Sequence, residues 1–112
     1  MDIEITYIEG VGIISISGEL DAQTSPELTQ FFSRHVGEST QNFVADLQGL
    51  AYSSSAGIRI FLGMARDSRR NGGDMRIAAV QPQVEKIFKL SKFDRIVKIF
   101  PTVEEALQSF RP

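Results

Sequence analysis

Asp46-Leu47-Gln48-Gly49-Leu50-Ala51-Tyr52-Ser53-Ser54-Ser55-Ala56-Gly57 joins an apolar run to the most regular helical pattern in the chain. Upstream, Asn42-Phe43-Val44-Ala45-Asp46-Leu47 is short and mostly apolar, as a central strand of a parallel sheet would be. Downstream, Ile58, Phe61, Leu62 and Ala65 recur at helical spacing on one face. A buried strand passing through a loop into a helix is half of a βαβ unit, which places the chain in the α/β class. The loop delivers three consecutive serines to the helix start.

Moving outward, the helix gathers Arg66, Arg69 and Arg70 in its last turns, where cations favour the negative helix end, and Asn71-Gly72-Gly73 stops it. Met75, Ile77 and Ala79 then alternate as a strand. Pro82 opens a short helix bearing Val84, Ile87 and Phe88, and residues 96–100 read as a last short strand. Thr102 and Glu105 have capping-box spacing ahead of the stripe Val103, Ala106, Leu107 and Phe110. Toward the N-terminus, Ile3, Ile5 and Tyr7 alternate with polar residues, Glu9-Gly10-Val11-Gly12 reads as a turn, and residues 13–18 resume strand character. Two strands so closely linked form an antiparallel hairpin. A helix follows from Thr24, with Thr24 and Glu27 at capping-box spacing, Pro26 in the first turn, a stripe of Leu28, Phe31, Phe32 and Val36, and Gly37 as the stop. The expected order is β-β-α-β-α-β-α-β-α. It forms a single α/β domain over residues 1–112, whose mixed sheet opens with an antiparallel hairpin, continues with largely parallel strands, and packs with about four helices. One-faced and two-faced helix arrangements both fit the pattern.

Composition narrows the function. With 112 residues and 42% hydrophobic content, the chain can build one real core. No cysteine and one histidine, His35, leave no thiolate site and no histidine cluster for a metal, and no cofactor is implied. No apolar run approaches the roughly 20 residues of a membrane span, and Met1-Asp2-Ile3-Glu4 lacks a basic signal-peptide start, so a cytoplasmic protein without membrane insertion is expected. Residues 1–55 hold eight acids and one base, and residues 56–112 hold six acids and eleven bases. The net charge of −2 argues against a nucleic-acid binder. Lys86, Lys89, Lys92, Arg95 and Lys98 are spread over polar positions as a solvated face would be.

The serines admit three chemical readings. A nucleophilic serine needs a base, commonly histidine backed by a carboxylate. His35 reads as a helix-end residue beside the dipole, and no glycine stands two residues before Ser55 to make a nucleophile elbow. Hydrolysis is therefore disfavoured. Free N–H groups at the helix start favour an anion, though Gly10-x-Gly12 and Gly72-Gly73 are too sparse for a phosphate loop. Lastly, a serine there could be phosphorylated, since the helix end tolerates negative charge. Against all three stands the ordinary choice, in which Ser54 or Ser55 is simply the N-cap. Asp21 and Asp46 lie near the C-terminal ends of strands, the edge where α/β folds hold ligands, and both also suit plain loop capping.

The run from Phe43 to Arg59 resembles the signature of STAS domains, specifically bacterial anti-sigma factor antagonists, in which an apolar strand and an acidic residue precede S-S-A-G-L-R or D-S-S-G-L. Gly18-Glu19-Leu20-Asp21 is similar to their G-E-L-D motif. Asn71-Gly72-Gly73-Asp74-Met75, Lys89-Leu90-Ser91-Lys92-Phe93-Asp94 and Thr102-Val103-Glu104-Glu105-Ala106-Leu107 resemble later family segments in the same order. There are departures. Ser54 replaces the family's frequent aspartate, Ala56 stands where serine or threonine is common, and Ser53 takes a usually apolar position.

The resemblance implies a binding protein without catalysis. Its phosphorylation site would be Ser55, with Ser54 the alternative. Asp21, Thr24, Asp46, Ser53, Ser54, Ala56, Gly57, Ile58 and Arg59 would form the neighbourhood that meets partners. Those partners would be a switch-kinase anti-sigma factor of histidine-kinase-like ATPase fold and a resetting PP2C-type serine phosphatase. The unphosphorylated form would sequester the kinase, and phosphorylation would release it. Two other roles for the same fold remain open. One is a partner-switch regulator of secretion, biofilm or signalling without a sigma factor. The other is an accessory subunit that is never phosphorylated.

Overall fold

The computed structural model describes residues 1–37 and 40–112. Among these residues six strands and four helices follow one another as β1 (Asp2–Ile8), β2 (Val11–Leu20), α1 (Ser25–Ser33), β3 (Asn42–Asp46), β4 (Leu50–Ser53), α2 (Ser55–Arg70), β5 (Met75–Ala78), α3 (Pro82–Leu90), β6 (Ile99–Phe100) and α4 (Val103–Gln108). The sheet order is β1-β2-β3-β5-β6, with β4 also on β2. Only β1 runs antiparallel to its neighbour; the other pairs are parallel. The mixed sheet expected from the sequence is the one observed.

The opening turn is tighter than the four residues expected. Ile8 pairs with Val11, and only Glu9 and Gly10 lie between them, at φ 51° and 81°. Two positive φ values make a two-residue hairpin turn whose twist matches the strands. Val11 and Gly12 therefore belong to β2, which is ten residues long.

Side-chain parity assigns the two faces. Ile14 and Ile16 of β2, Phe43 and Ala45 of β3, and Met75 and Ile77 of β5 point into the main core with Leu28 and Phe32 of α1, Phe61 and Met64 of α2, and Val84 and Phe88 of α3. Residues of opposite parity, Ile13, Val44 and Ala78, meet Ala106 and Leu107 of α4. Three helices thus cover one face and α4 the other. Arg76 closes the second face, with its guanidinium 4.1 Å from the Phe110 ring centroid and 2.7 Å from the Ser109 carbonyl.

Several local expectations shift. The strand expected over 96–100 is reduced to Ile99–Phe100, because Phe93–Arg95 forms a short 3₁₀ turn that buries Phe93 and Val97. Ala79 leaves β5 with φ 59° instead of continuing the alternation. Pro82 does start α3, and Thr102 caps α4 by accepting the Glu105 N–H at 3.1 Å. Helix α1 ends at Ser33, so Val36 lies beyond it.

The main difference lies in the stretch between β3 and α2, which reads as a loop and instead contains β4. Strand β3 pairs with the first part of β2, as far as Ser15 with Asp46. Strand β4 then pairs with the last part of β2, from Gly18 with Leu50 to Leu20 with Ser53. The two strands occupy the same flank of β2 in succession, separated by a jog at Leu47-Gln48-Gly49. The jog presses Gly49 onto β2: its carbonyl accepts the Gly18 N–H at 2.9 Å, and an added Cβ would lie 3.0 Å from the Ser17 Cβ.

Candidate functional site

Strand β4 carries the three serines to the end of β2. Ser53 pairs with Leu20, and the Ser54 N–H donates to the Leu20 carbonyl at 2.9 Å. The start of α2 is therefore fixed beside the turn that begins at Asp21.

That turn is built on one carboxylate. Asp21 Oδ1 accepts the N–H groups of Gln23 at 2.9 Å and Thr24 at 3.0 Å. The Thr24 N–H chiefly, with that of Gln23 and the Thr24 hydroxyl adding to it, holds the Asp21 carboxyl below the usual carboxylate range. Thr24 is not the capping residue its spacing suggested. Its hydroxyl turns back, donates to the Glu19 carbonyl at 2.9 Å and accepts the Asp21 N–H at 3.0 Å. The backbone of Thr24 is helical, and its side chain caps nothing. The Ser25 N–H donates to the Asp21 carbonyl at 2.8 Å, so the carboxylate and carbonyl of Asp21 together stitch β2 to α1.

The serines differ sharply. Ser53 is wholly buried, and its hydroxyl donates to the Ser54 carbonyl at 3.2 Å. It faces the core, where Gly57 leaves room for it. A Cβ on Gly57 would strike the Ser53 hydroxyl and lie 2.9 Å from the Leu20 side chain. Ser54 stands at the N-cap with extended backbone (φ −85°, ψ 177°), yet its hydroxyl makes no capping bond and is buried with no hydrogen-bond partner among the described residues. Ser55, the first residue of α2, is exposed.

The other expected neighbours divide in the same way. Ala56 is half-buried and Arg59 exposed on the α1–α2 side, whereas Ile58 is 8% exposed and anchors α2 in the core. A groove of about 410 Å³ runs between the two helices, lined by Ser25 and Pro26 on α1 and by Ala56, Arg59 and Ile60 on α2. Asp46 does not join the site. Its carboxylate accepts the Gln48 N–H at 3.1 Å, and its register opposite Ser15 sets it five residues short of Leu20, about 16 Å at strand rise.

His35 is farther still. It bonds the Tyr7 hydroxyl at 3.0 Å, and Tyr7 pairs with Gly12, near the start of β2. Eight residues of strand separate that level from Leu20, about 25 Å. No histidine can serve the serines as a base.

Two supporting residues have no signature in the sequence. The Gln81 side-chain amide donates to the Gln48 carbonyl at 2.7 Å, and that of Gln83 to the Ala51 carbonyl at 3.2 Å. They clasp the jog and β4 from the start of α3. Glutamine at a helix start is too common to announce such a role.

An anti-sigma F factor antagonist of Paenibacillus polymyxa is 28% identical over 108 residues, covering 96% of this chain and 92% of its own. The crystal structure of an anti-sigma factor antagonist from Mycobacterium paratuberculosis superposes with a TM-score of 0.90 at 26% identity, covering 99% of this chain and 94% of that one. The Bacillus cell fate determinant SpoIIAA in its phosphorylated form shares the fold at 20% identity, with a TM-score of 0.74, covering 98% of this chain and 100% of that one. No helix among the described residues is long and apolar enough to cross a membrane. The STAS domain model matches residues 2–106, and the chain belongs to the STAS domain family.

Proposed function

We propose that this protein is an anti-sigma factor antagonist working by phosphorylation-controlled partner switching, with Ser55 as the acceptor. The supporting observation is the sorting of the three serines. The Ser53 and Ser54 hydroxyls are buried, while Ser55 is exposed on a helix end that favours an anion. A kinase must bring its active site to the hydroxyl, and Ser55 offers one without unfolding. The names of the relatives support the class of function, and SpoIIAA shows that a protein of this fold exists in a phosphorylated form.

In this reading the chain is a regulatory binding protein, and the chemistry belongs to its partners. A switch-kinase anti-sigma factor of histidine-kinase-like ATPase fold binds the surface formed by the β2–α1 turn and the start of α2. It transfers the γ-phosphoryl group of ATP to Ser55 Oγ, with ADP leaving and the hydroxyl proton passing to a kinase base. The phosphoserine carries about −1.5 to −2 charges at neutral pH. It sits on the surface that Glu19 and Asp21 already make acidic, so a partner docked there is repelled and leaves. A PP2C-type serine phosphatase hydrolyses the ester and restores the binding form. The switch is local and needs no change of fold.

The test is binding of the cognate kinase to Ser55→Ala and Ser55→Asp variants. The alanine variant should hold the kinase as tightly as wild type, and the aspartate variant at least about tenfold more weakly, a difference of roughly 1.4 kcal/mol. Equal affinities would overturn the reading.

A further inference from the structure

The exposed face of α2 continues from Ser55 through Arg59 and Arg66, residues spaced by four and seven positions along one helical stripe. Among the described residues Arg59 pairs with no carboxylate. Its helical neighbours three and four positions away are Ser55, Ala56, Leu62 and Gly63, of which only Ser55 carries a side-chain oxygen. The facing wall of the groove presents Ser25, Pro26 and Thr29, none of them charged. Among the described residues no ion pair is formed by Arg59, whereas Arg69 pairs with Asp74, Arg70 with Asp67 and Arg76 with Asp74.

Helical side chains lean toward the N-terminus, so a long side chain at position 59 lies over the turn that begins at Ser55. An acid four residues before a base is the favourable order for such a pair. A guanidinium can offer a phosphate two parallel N–H donors.

We propose that Arg59 is the built-in counter-ion of a phosphate on Ser55, closing an intrahelical clamp on modification. The inference rests on Ser55 being the modified residue and adds a second action to the switch. The phosphate brings negative charge, and it also withdraws the positive charge of Arg59 from the docking surface. A partner that reads Arg59 in the unmodified protein loses that contact at the moment the phosphate appears. Arg66, almost two helical turns beyond Arg59, stays outside the clamp.

The experiment uses full-length protein with phosphoserine installed at position 55 by genetic encoding, so that it does not depend on any kinase. Phosphorus NMR titration then reads the second ionisation of the phosphate in wild type, Arg59→Gln and Arg66→Gln. All three side chains concerned are exposed, and circular dichroism confirms equal folding. The clamp predicts that Arg59→Gln raises the phosphate pKa by about 0.2–0.4 unit over wild type, while Arg66→Gln leaves it within about 0.1. No rise in Arg59→Gln, or an equal rise in both variants, would overturn the proposal, the second by showing a diffuse field in place of a clamp. Failure of the cognate kinase to label Ser55 would count against the proposed function and leave this titration unaffected.

Discussion

The Ser54 N–H donates to the Leu20 carbonyl at 2.9 Å, so the start of α2 is bolted to the end of β2. Through that bond, the jog in the chain after β3 becomes functional geometry. Had β3 run straight into α2, the serines would stand near the level of Ser15, far from the Asp21 turn. Strand β4 carries them along β2 to that level, where Ser55 alone is exposed.

The tightest joint is Gly57 against Ser53 and Leu20. Gly57→Ala should destabilise the protein by about 1–3 kcal/mol through overpacking. Chemical denaturation measures it. Adding Ser53→Ala removes the hydroxyl that the new methyl strikes, so the double variant should lose less than the two single losses together, with a coupling of about 0.5 kcal/mol or more. Strict additivity would mean that the contact is relieved elsewhere.

Asp21 sets a pH dependence. Its carboxyl is held below the usual range by the Thr24 and Gln23 amides, so the folded state favours the ionised form. The resulting stabilisation is fully present above the ordinary carboxylate value of about 3.9 and is lost as pH falls through the lower folded value. Denaturation midpoints at pH 7 should separate wild type from Asp21→Asn. On acidification toward pH 3 and below, wild type should approach the variant. A gap that stays constant over that range would show that the turn does not depend on the charge.

The glutamine clasp is tested separately. Gln81→Ala and Gln83→Ala should each cost at most about 0.5–1.5 kcal/mol, since each removes hydrogen bonds at an exposed site. The sharper effect should be local. Amide hydrogen exchange at residues 48–53 should quicken while α1 and β1 are unchanged. A uniform change across the chain would point to global stability instead.

On the opposite face, Arg76 bonds the Ser109 carbonyl and hydroxyl at 2.7 Å each, pairs with Asp74 at 3.2 Å and lies over Phe110. Arg76→Ala should destabilise by about 1–3 kcal/mol and loosen α4 first, as exchange over residues 103–110 would show. Kinase binding should survive, because that surface lies at the other side of the sheet.

Much of this architecture was legible because burial imprints periodicity. The continuous apolar run of β3, the stripe Ile58-Phe61-Leu62-Ala65 and the hairpin alternation Ile3-Ile5-Tyr7 each carry their element on the page. Strand β4 was not legible, because only its end residues, Leu50 and Ser53, are buried, while Ala51 and Tyr52 between them are exposed. Four residues without alternation read as loop. Thr24 misled for another reason: capping-box spacing records what a side chain can reach, and here the Asp21 turn claimed its hydroxyl first. The placement of α4 alone on the second face follows from strand parity, which shows only once the strands are paired. At the site, the triple serine was visible as a feature, but its members look alike in sequence. Their ranking comes from the buried side of α2, where Gly57 admits the Ser53 hydroxyl, and from the N-cap position that tucks the Ser54 hydroxyl out of solvent. Asp46 looked equivalent to Asp21 because both end strands, and only the pairing register separates them.

The most direct measurement is site mapping by mass spectrometry after incubation with the cognate switch kinase and ATP. The account predicts one phosphate on Ser55 in wild type, no incorporation in Ser55→Ala, and undiminished incorporation in Ser54→Ala. Phosphate on Ser54 or Ser53, or on none of the three serines, would contradict it.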